Sequence, residues 1–310
     1  MQRKHTFVTV AHEVDYALLK LQARSMSLYL PREMVETIIV VENFTPGVTP
    51  NWDAGGLLEA YGYLADKVVF IPGSSLVDMP AGASGWWTQQ VLKLLVAFHV
   101  PTARYIVLDA KNHLAFTLGQ DFLTDSAGRA RMRAYGYGDH PLRPRLETCL
   151  RYLELAEEAN VAHFPQTSTP FTIYCEQAIE LICHVTHKGC RDEDGDDAAK
   201  VFAKAFLDQE LTEFFLYSGW IKKTGQEDAL YAFDQPDSPI IWPHQTEPLE
   251  LLKTIGRTEA HRPPFFAIHR GAVQRLDAIG VQIITQFWVR RKLFDDIAAA
   301  ETFLLEEIGF

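Results

Sequence analysis

The segment Asp109-Ala110-Lys111-Asn112-His113 follows directly on the apolar run RYIVL. A carboxylate that ends a buried strand is well placed to meet a ligand or a metal ion. Breaking a sugar–diphosphate bond requires that the leaving group's charge be neutralised. A D-x-D pair does this through Mg²⁺ or Mn²⁺, because hard cations prefer carboxylate oxygen. Here Lys111 stands where the second acid would be. A lysine can offset phosphate charge directly, so Asp109 and Lys111 are catalytic candidates with or without a metal. Asp109 with a distant histidine is the alternative metal site. A turn cap beside a solvated lysine is the plain structural reading.

These residues need a scaffold. Apolar, β-branched runs predict strands over His5–Ala11, Glu36–Glu42, Lys67–Ile71, Arg104–Asp109 and Phe265–His269. Helical spacing predicts helices over Asp15–Leu30, Trp86–His99, Leu146–Glu158, Phe171–His187, Ala198–Leu207 and Thr212–Lys222. Val161–Phe164 reads as a short strand. Thr45–Gly56, Lys188–Asp197 and Pro236–Pro248 read as loops. Strands alternating with helices imply an α/β fold with a largely parallel sheet and right-handed crossovers. Its ligands belong at the carboxyl ends of the strands, where Ala11-His12, Glu42-Asn43 and Asp109 fall. No domain cut is visible. The expectation is one domain over 1–310, with 1–125 as the nucleotide-binding half and a more helical 126–310 as the acceptor-side half with the C-terminal helices.

The 310 residues carry a net charge of −11, which repels nucleic-acid backbones. A small nucleotide needs only a few local donors. The four cysteines form no C-x-x-C pair, so a reducing compartment is expected. No signal peptide and no long apolar run is apparent, which points to the cytoplasm. His184-x-x-His187-x-x-Cys190 has helix spacing but lacks a clear fourth zinc ligand. DEDGDD resembles a calcium loop only superficially, since its glycine and terminal acid are misplaced. No G-x-G-x-x-G, P-loop or G-x-S-x-G motif occurs.

The runs GWWTQQVLKL, YIVLDAKNHL and LTEFFLY, in that order, resemble the DUF6492 family of glycosyltransferase-like bacterial proteins. That family's pattern is G-W-x-x-Q-Q-x-x-K-L, V-L-D-x-D and S-E-Y-E-L-Y-G. The matching positions are Gly85, Trp86, Gln89, Gln90, Lys93 and Leu94, then Val107, Leu108 and Asp109, then Glu213, Leu216 and Tyr217. Weaker similarity runs from Phe7 to His269. Lys111, Phe215 and Ser218 depart from the pattern at the second Asp, the second Glu and the Gly. The first departure puts metal dependence in question.

The resemblance implies a GT-A-like fold. It also implies transfer of a sugar from a nucleotide-diphosphate sugar to an acceptor hydroxyl, in synthesis of bacterial surface or lipid-linked glycans. Asp109 then holds the ribose or a metal ion, Mn²⁺ or Mg²⁺, with Lys111 or His269 offsetting charge. Thr9, His12 and Asp15 flank the place that receives base and ribose, and Asp15 alternatively caps the first helix. Gln90, Lys93 and Asn112 join the nucleotide-contact candidates, against a solvated helix face for the first two. Trp86 and Trp87 stack on sugar or base, or lie in the core. Glu213 is either the general base for an acceptor hydroxyl or a helix-terminal carboxylate. His269 and Arg270 clamp phosphate, and His269 is also a metal candidate; His244 is a weaker substitute. Glu42 is a weaker strand-end candidate. FWVRRKLF near the C-terminus suits either transient contact with a membrane surface or a docked helix. A non-catalytic nucleotide-sugar-binding protein, and a nucleotidyltransferase or phosphate-ester hydrolase, are the alternatives.

Overall fold

The computed structural model describes residues 3–45, 47, 52–80, 82–189 and 197–308. Four parallel strands make the centre: β1 (His5–Ala11), β2 (Val35–Glu42), β3 (Val68–Pro72) and β4 (Arg104–Leu108), in the order β3-β2-β1-β4. The chain winds outward from β1 to β3 and then returns to place β4 on the other side of β1. Strand order therefore reverses between β1 and β4, and a crevice opens beyond their carboxyl ends. A fifth strand, Phe171–Tyr174, pairs antiparallel with β4. In a second small sheet, β5 (Asn112–Leu114) pairs antiparallel with Phe265–Ile268, which pairs parallel with Ile240–Ile241.

Side-chain alternation explains why these strands read as unbroken apolar runs. Phe7, Ile38, Val40, Ile106 and Leu108 enter one core, shared with helices Tyr16–Tyr29 and Ala278–Arg290. Val8, Val10, Ile39, Val41, Tyr105 and Val107 enter a second core, shared with helices Gly85–Leu95, Cys175–Gly189 and Glu213–Lys223. A sheet covered on both faces has no polar side to show. Residues from both sides of position 125 share each core.

Three expectations are corrected. Phe171–His187 is not one helix, since Phe171–Tyr174 is a strand and the helix starts at Cys175. Phe171 and Ile173 are buried opposite Val107 and Tyr105, and that tertiary pairing outweighs local helical spacing. The helix predicted over Leu146–Glu158 runs from Arg143 to Tyr152; Glu154 (φ 60°) turns the chain before a separate helix at Glu157–Ala162. Val161 lies in that helix, and only Phe164–Pro165 is extended.

The C-terminal segment is a docked element. Phe287, Trp288 and Leu293 are wholly buried, Phe294 nearly so, and Arg290 pairs with Glu259. Its aromatic rings are therefore not free for a membrane surface. Among the described residues no helix is long and apolar enough to cross a membrane. Cys190 and most of the acidic DEDGDD run lie outside the described residues. The ring of His184 packs on Trp220, at 4.8 Å between centroids.

Gly73, just after β3, sits where a Cβ would lie 2.9 Å from both the Glu42 carbonyl oxygen and Leu92 Cδ1. Gly73→Ala is expected to cost about 1–3 kcal/mol by overpacking. The check is a lower denaturant midpoint at unchanged slope; an unshifted midpoint contradicts it.

Candidate active site

A cavity of about 340 Å³ opens at the crevice between β1 and β4, and Asp109 lies in its wall. The turn that carries Asp109 is held from beneath. Asn112 Oδ1 accepts from the Asp109 backbone N–H (2.7 Å) and from the Thr169 hydroxyl (2.7 Å). Gln22 Nε2 donates to the carbonyls of Asp109 (2.8 Å) and Asn112 (3.0 Å), while its Oε1 accepts from Thr9 (2.8 Å). Thr9 and Asn112 are thus hydrogen-bonded and buried below the cavity, and neither lines it. Their expected role in touching a nucleotide is corrected to that of positioning the Asp109 turn.

Lys93 is buried at the centre of the site. Its ammonium donates to Asp109 Oδ1 (2.9 Å) and Glu213 Oε1 (3.1 Å) and lies over the Phe214 ring. Asp109 Oδ2 pairs with Lys111. The hydroxyl of Tyr105, from β4, donates to the Lys93 carbonyl (2.7 Å), fixing helix to strand. A solvated helix face is therefore excluded for Gln90 and Lys93, which are 2% and 3% exposed. Gln90 Oε1 accepts from the Glu213 backbone N–H at the start of its helix (3.4 Å).

Charge follows from this packing. Burial opposes ionisation of Asp109, but Lys111 and Lys93 outweigh it and hold the carboxyl far below the usual range. Burial likewise disfavours the Lys93 ammonium, and the carboxylates of Asp109 and Glu213 more than reverse this. For Glu213 burial wins, and its pKa lies above the ordinary 4.5 despite Lys93. Asp15 also lines the cavity and is raised by burial. It accepts from the His12 backbone N–H (3.4 Å), within the short helical turn that His12 caps. His12 itself contacts Thr45 and Glu13 and does not line the cavity.

Trp86, Lys111, His269 and Arg270 complete the wall on the expected side. Trp86 is 47% exposed and meets Trp87 edge-on, so it is not a core residue. His269 Nδ1 accepts from the Gly271 N–H (3.0 Å). Burial first, and Lys111 next, lower its pKa, so the ring is neutral with its proton on Nε2. His269 then offers a hydrogen-bond donor and no free lone pair. Both oxygens of Asp109 already face ammonium groups. Among the described residues no three His, Cys, Asp or Glu side chains converge. As arranged here, the Asp109 carboxylate is matched to the two lysines.

Sequence reasoning missed Arg145 and Trp242, which also line the cavity. Arg145 lies over the Trp87 ring (5.1 Å) and Lys111 over the Trp242 ring (5.6 Å). Their only sequence signals are the RPR run that opens a helix and the tryptophan in the irregular Pro236–Pro248 segment. His244 and Glu42 stand apart from this wall.

No protein-family model and no curated protein sequence matches the chain. A solved structure does: the apo structure of WbbM, a bifunctional glycosyltransferase, superposes at a TM-score of 0.50 with 8% identity. The match covers 95% of this chain and 51% of WbbM, so the chain spans about half of that structure's length. The fold is of the GT-A glycosyltransferase type. Two LgtC structures also align. One is an active-site mutant (TM-score 0.39, 10% identity), the other the galactosyltransferase with donor and acceptor sugar analogs (TM-score 0.38, 12% identity). Each alignment covers 67% of this chain and 71% of LgtC. In this GT-A fold, Asp109 closes the strand beside β1 at the point where strand order reverses.

Proposed function

We propose that the protein moves a sugar from a nucleoside diphosphate sugar to an acceptor hydroxyl, serving bacterial surface or lipid-linked glycan synthesis in the cytoplasm. One observation carries this reading. A chain with a net charge of −11 places four cationic side chains, Lys93, Lys111, Arg145 and Arg270, around the cavity at its topological switch point, against three acids in the wall, Asp15, Asp109 and Glu213, and Glu210 behind it, which pairs with Arg145. A site of this balance suits an anionic ligand that the rest of the surface repels.

In this mechanism Lys111 and Arg270 meet the diphosphate, and Asp109 orients Lys111 and receives ribose or sugar hydroxyls. Glu213 takes the proton of the acceptor hydroxyl as its oxygen bonds to the anomeric carbon. The bond from that carbon to the diphosphate oxygen breaks, and the diphosphate leaves with the electron pair. Attack opposite the leaving group gives inversion. Lys111 supplies the charge that a metal on a second aspartate would otherwise bring.

The test is hydrolysis of a UDP-sugar with Mn²⁺ and with chelator. Slow turnover is expected, insensitive to chelation. Lys111→Ala should lower it by roughly 10²–10³-fold, as for loss of a charge-stabilising group, and Asp109→Ala should destroy it. Turnover only with Mn²⁺ contradicts the metal-free reading. Tight UDP-sugar binding without turnover marks the non-catalytic binder, which the Lys111–Asp109 pair favours as the second reading. Pyrophosphate release from a nucleoside triphosphate marks a nucleotidyltransferase.

A further inference from the structure

A second, larger cavity of about 1260 Å³ adjoins the first. The two share Leu142, Thr167 and Trp242 in their walls. Trp242 is the hinge of this arrangement. Its ring carries Lys111 at 5.6 Å and lies tilted against His269, with centroids 5.7 Å apart. A group bound in the larger cavity therefore lies next to the chemistry proposed for the smaller one.

The lining has two kinds of recognition surface. Trp242 and Tyr135 offer aromatic faces, and Tyr135 is held by stacking on Tyr137 (4.9 Å, 29° between planes). Such rings suit the apolar faces of sugar rings. The other kind is cationic. Asp237 is the one acid among the described residues of this wall and is taken up by Arg133. Arg257 is exposed in the same wall, and the Glu250 carboxyl on the same helix feels its charge. His244 and His261 lie exposed in the same wall. The volume exceeds the ~300–1,000 Å³ typical of small-molecule sites, more room than one sugar ring needs.

We infer that this cavity receives the acceptor, as an oligosaccharide bearing an anionic group that Arg257 binds while a sugar ring stacks on Trp242. The inference rests on the transferase reading of the smaller cavity. Carboxylate and phosphodiester groups share the required chemistry, and the probes separate them.

The experiment is calorimetric titration of the full-length protein with three probes: tetragalacturonate, the same oligomer with its carboxyl groups reduced, and a glycerol phosphate oligomer. UDP is titrated in parallel. Tetragalacturonate or the glycerol phosphate oligomer is expected to bind at least about 10-fold tighter than the reduced oligomer, as for a charge-assisted hydrogen bond. Arg257→Ala should remove that advantage, and Trp242→Ala should weaken all sugar binding. UDP affinity should survive Arg257→Ala unchanged. Equal binding of the reduced oligomer overturns the inference, as does failure of all three probes while UDP binds. Failure of UDP to bind strikes instead at the reading of the smaller cavity.

Discussion

Lys93→Met is expected to lower the unfolding free energy by about 3–5 kcal/mol, the cost of stranding a buried charge. The side chain is 4% exposed and contacts two carboxylates from different parts of the chain. Asp109 keeps Lys111, but Glu213 loses its one ion-pair partner among the described residues. Methionine preserves most of the volume, so the deficit reports charge and not a cavity. Adding Glu213→Gln in the Lys93→Met background should recover a large part of it, since the stranded charge is gone. Glu213 has a raised folded pKa, so its protonated form favours the native state, and this pull grows once Lys93 is absent. The deficit of Lys93→Met should therefore shrink as pH falls below neutrality. Denaturant titrations of the wild type and the two variants at two pH values decide the matter. A single mutant within about 1 kcal/mol of wild type would mean that the lysine does not hold these carboxylates together.

Glu213→Gln should cut transfer to the acceptor by roughly 10²–10⁴-fold, the usual worth of a general base. Donor KM should hardly move. The wild-type profile of kcat/KM should rise with pH through a pKa above 4.5, the direction in which burial shifts this carboxyl. That acid limb should vanish in the glutamine variant. Asp109 cannot mimic it, because its carboxyl is held on the low side by two lysines. Were Glu213 merely a packing residue, the substitution would lower stability and leave the limb in place.

The middle of the central sheet was readable because β1, β2 and β4 are covered on both faces, so that VTVA, IIVV and YIVL appear as plain apolar runs. The strand Phe171–Tyr174 was not. FTIY is short and apolar, and only its pairing with Arg104–Val107 distinguishes it from the start of the helix that follows. Asp109 and Lys111 could be singled out because they end such a run. Lys93 is harder, since a lysine three residues after a glutamine suggests a wet helix face. Its partner Glu213 lies 120 positions away. Local spacing says nothing of that distance; only the resemblance of GWWTQQVLKL raised these residues as candidates. Thr9 and Asn112 mislead for the opposite reason. Polar groups at strand ends suggest ligand contacts, yet here Gln22 takes the Thr9 hydroxyl, and the Asp109 N–H and the Thr169 hydroxyl take the Asn112 side chain, as support beneath the turn.

The sheet closes asymmetrically. One margin is covered by the antiparallel strand Phe171–Tyr174, while β3 stands at the other with Val69 48% exposed. β3 is only five residues long and ends in Pro72, which has no N–H to offer a neighbour. A strand from another molecule laid along this border would find a short template with a donor missing at its end. The border thus discourages chain-to-chain stacking at high concentration, and Pro72 is the residue to leave alone when the protein is made in quantity.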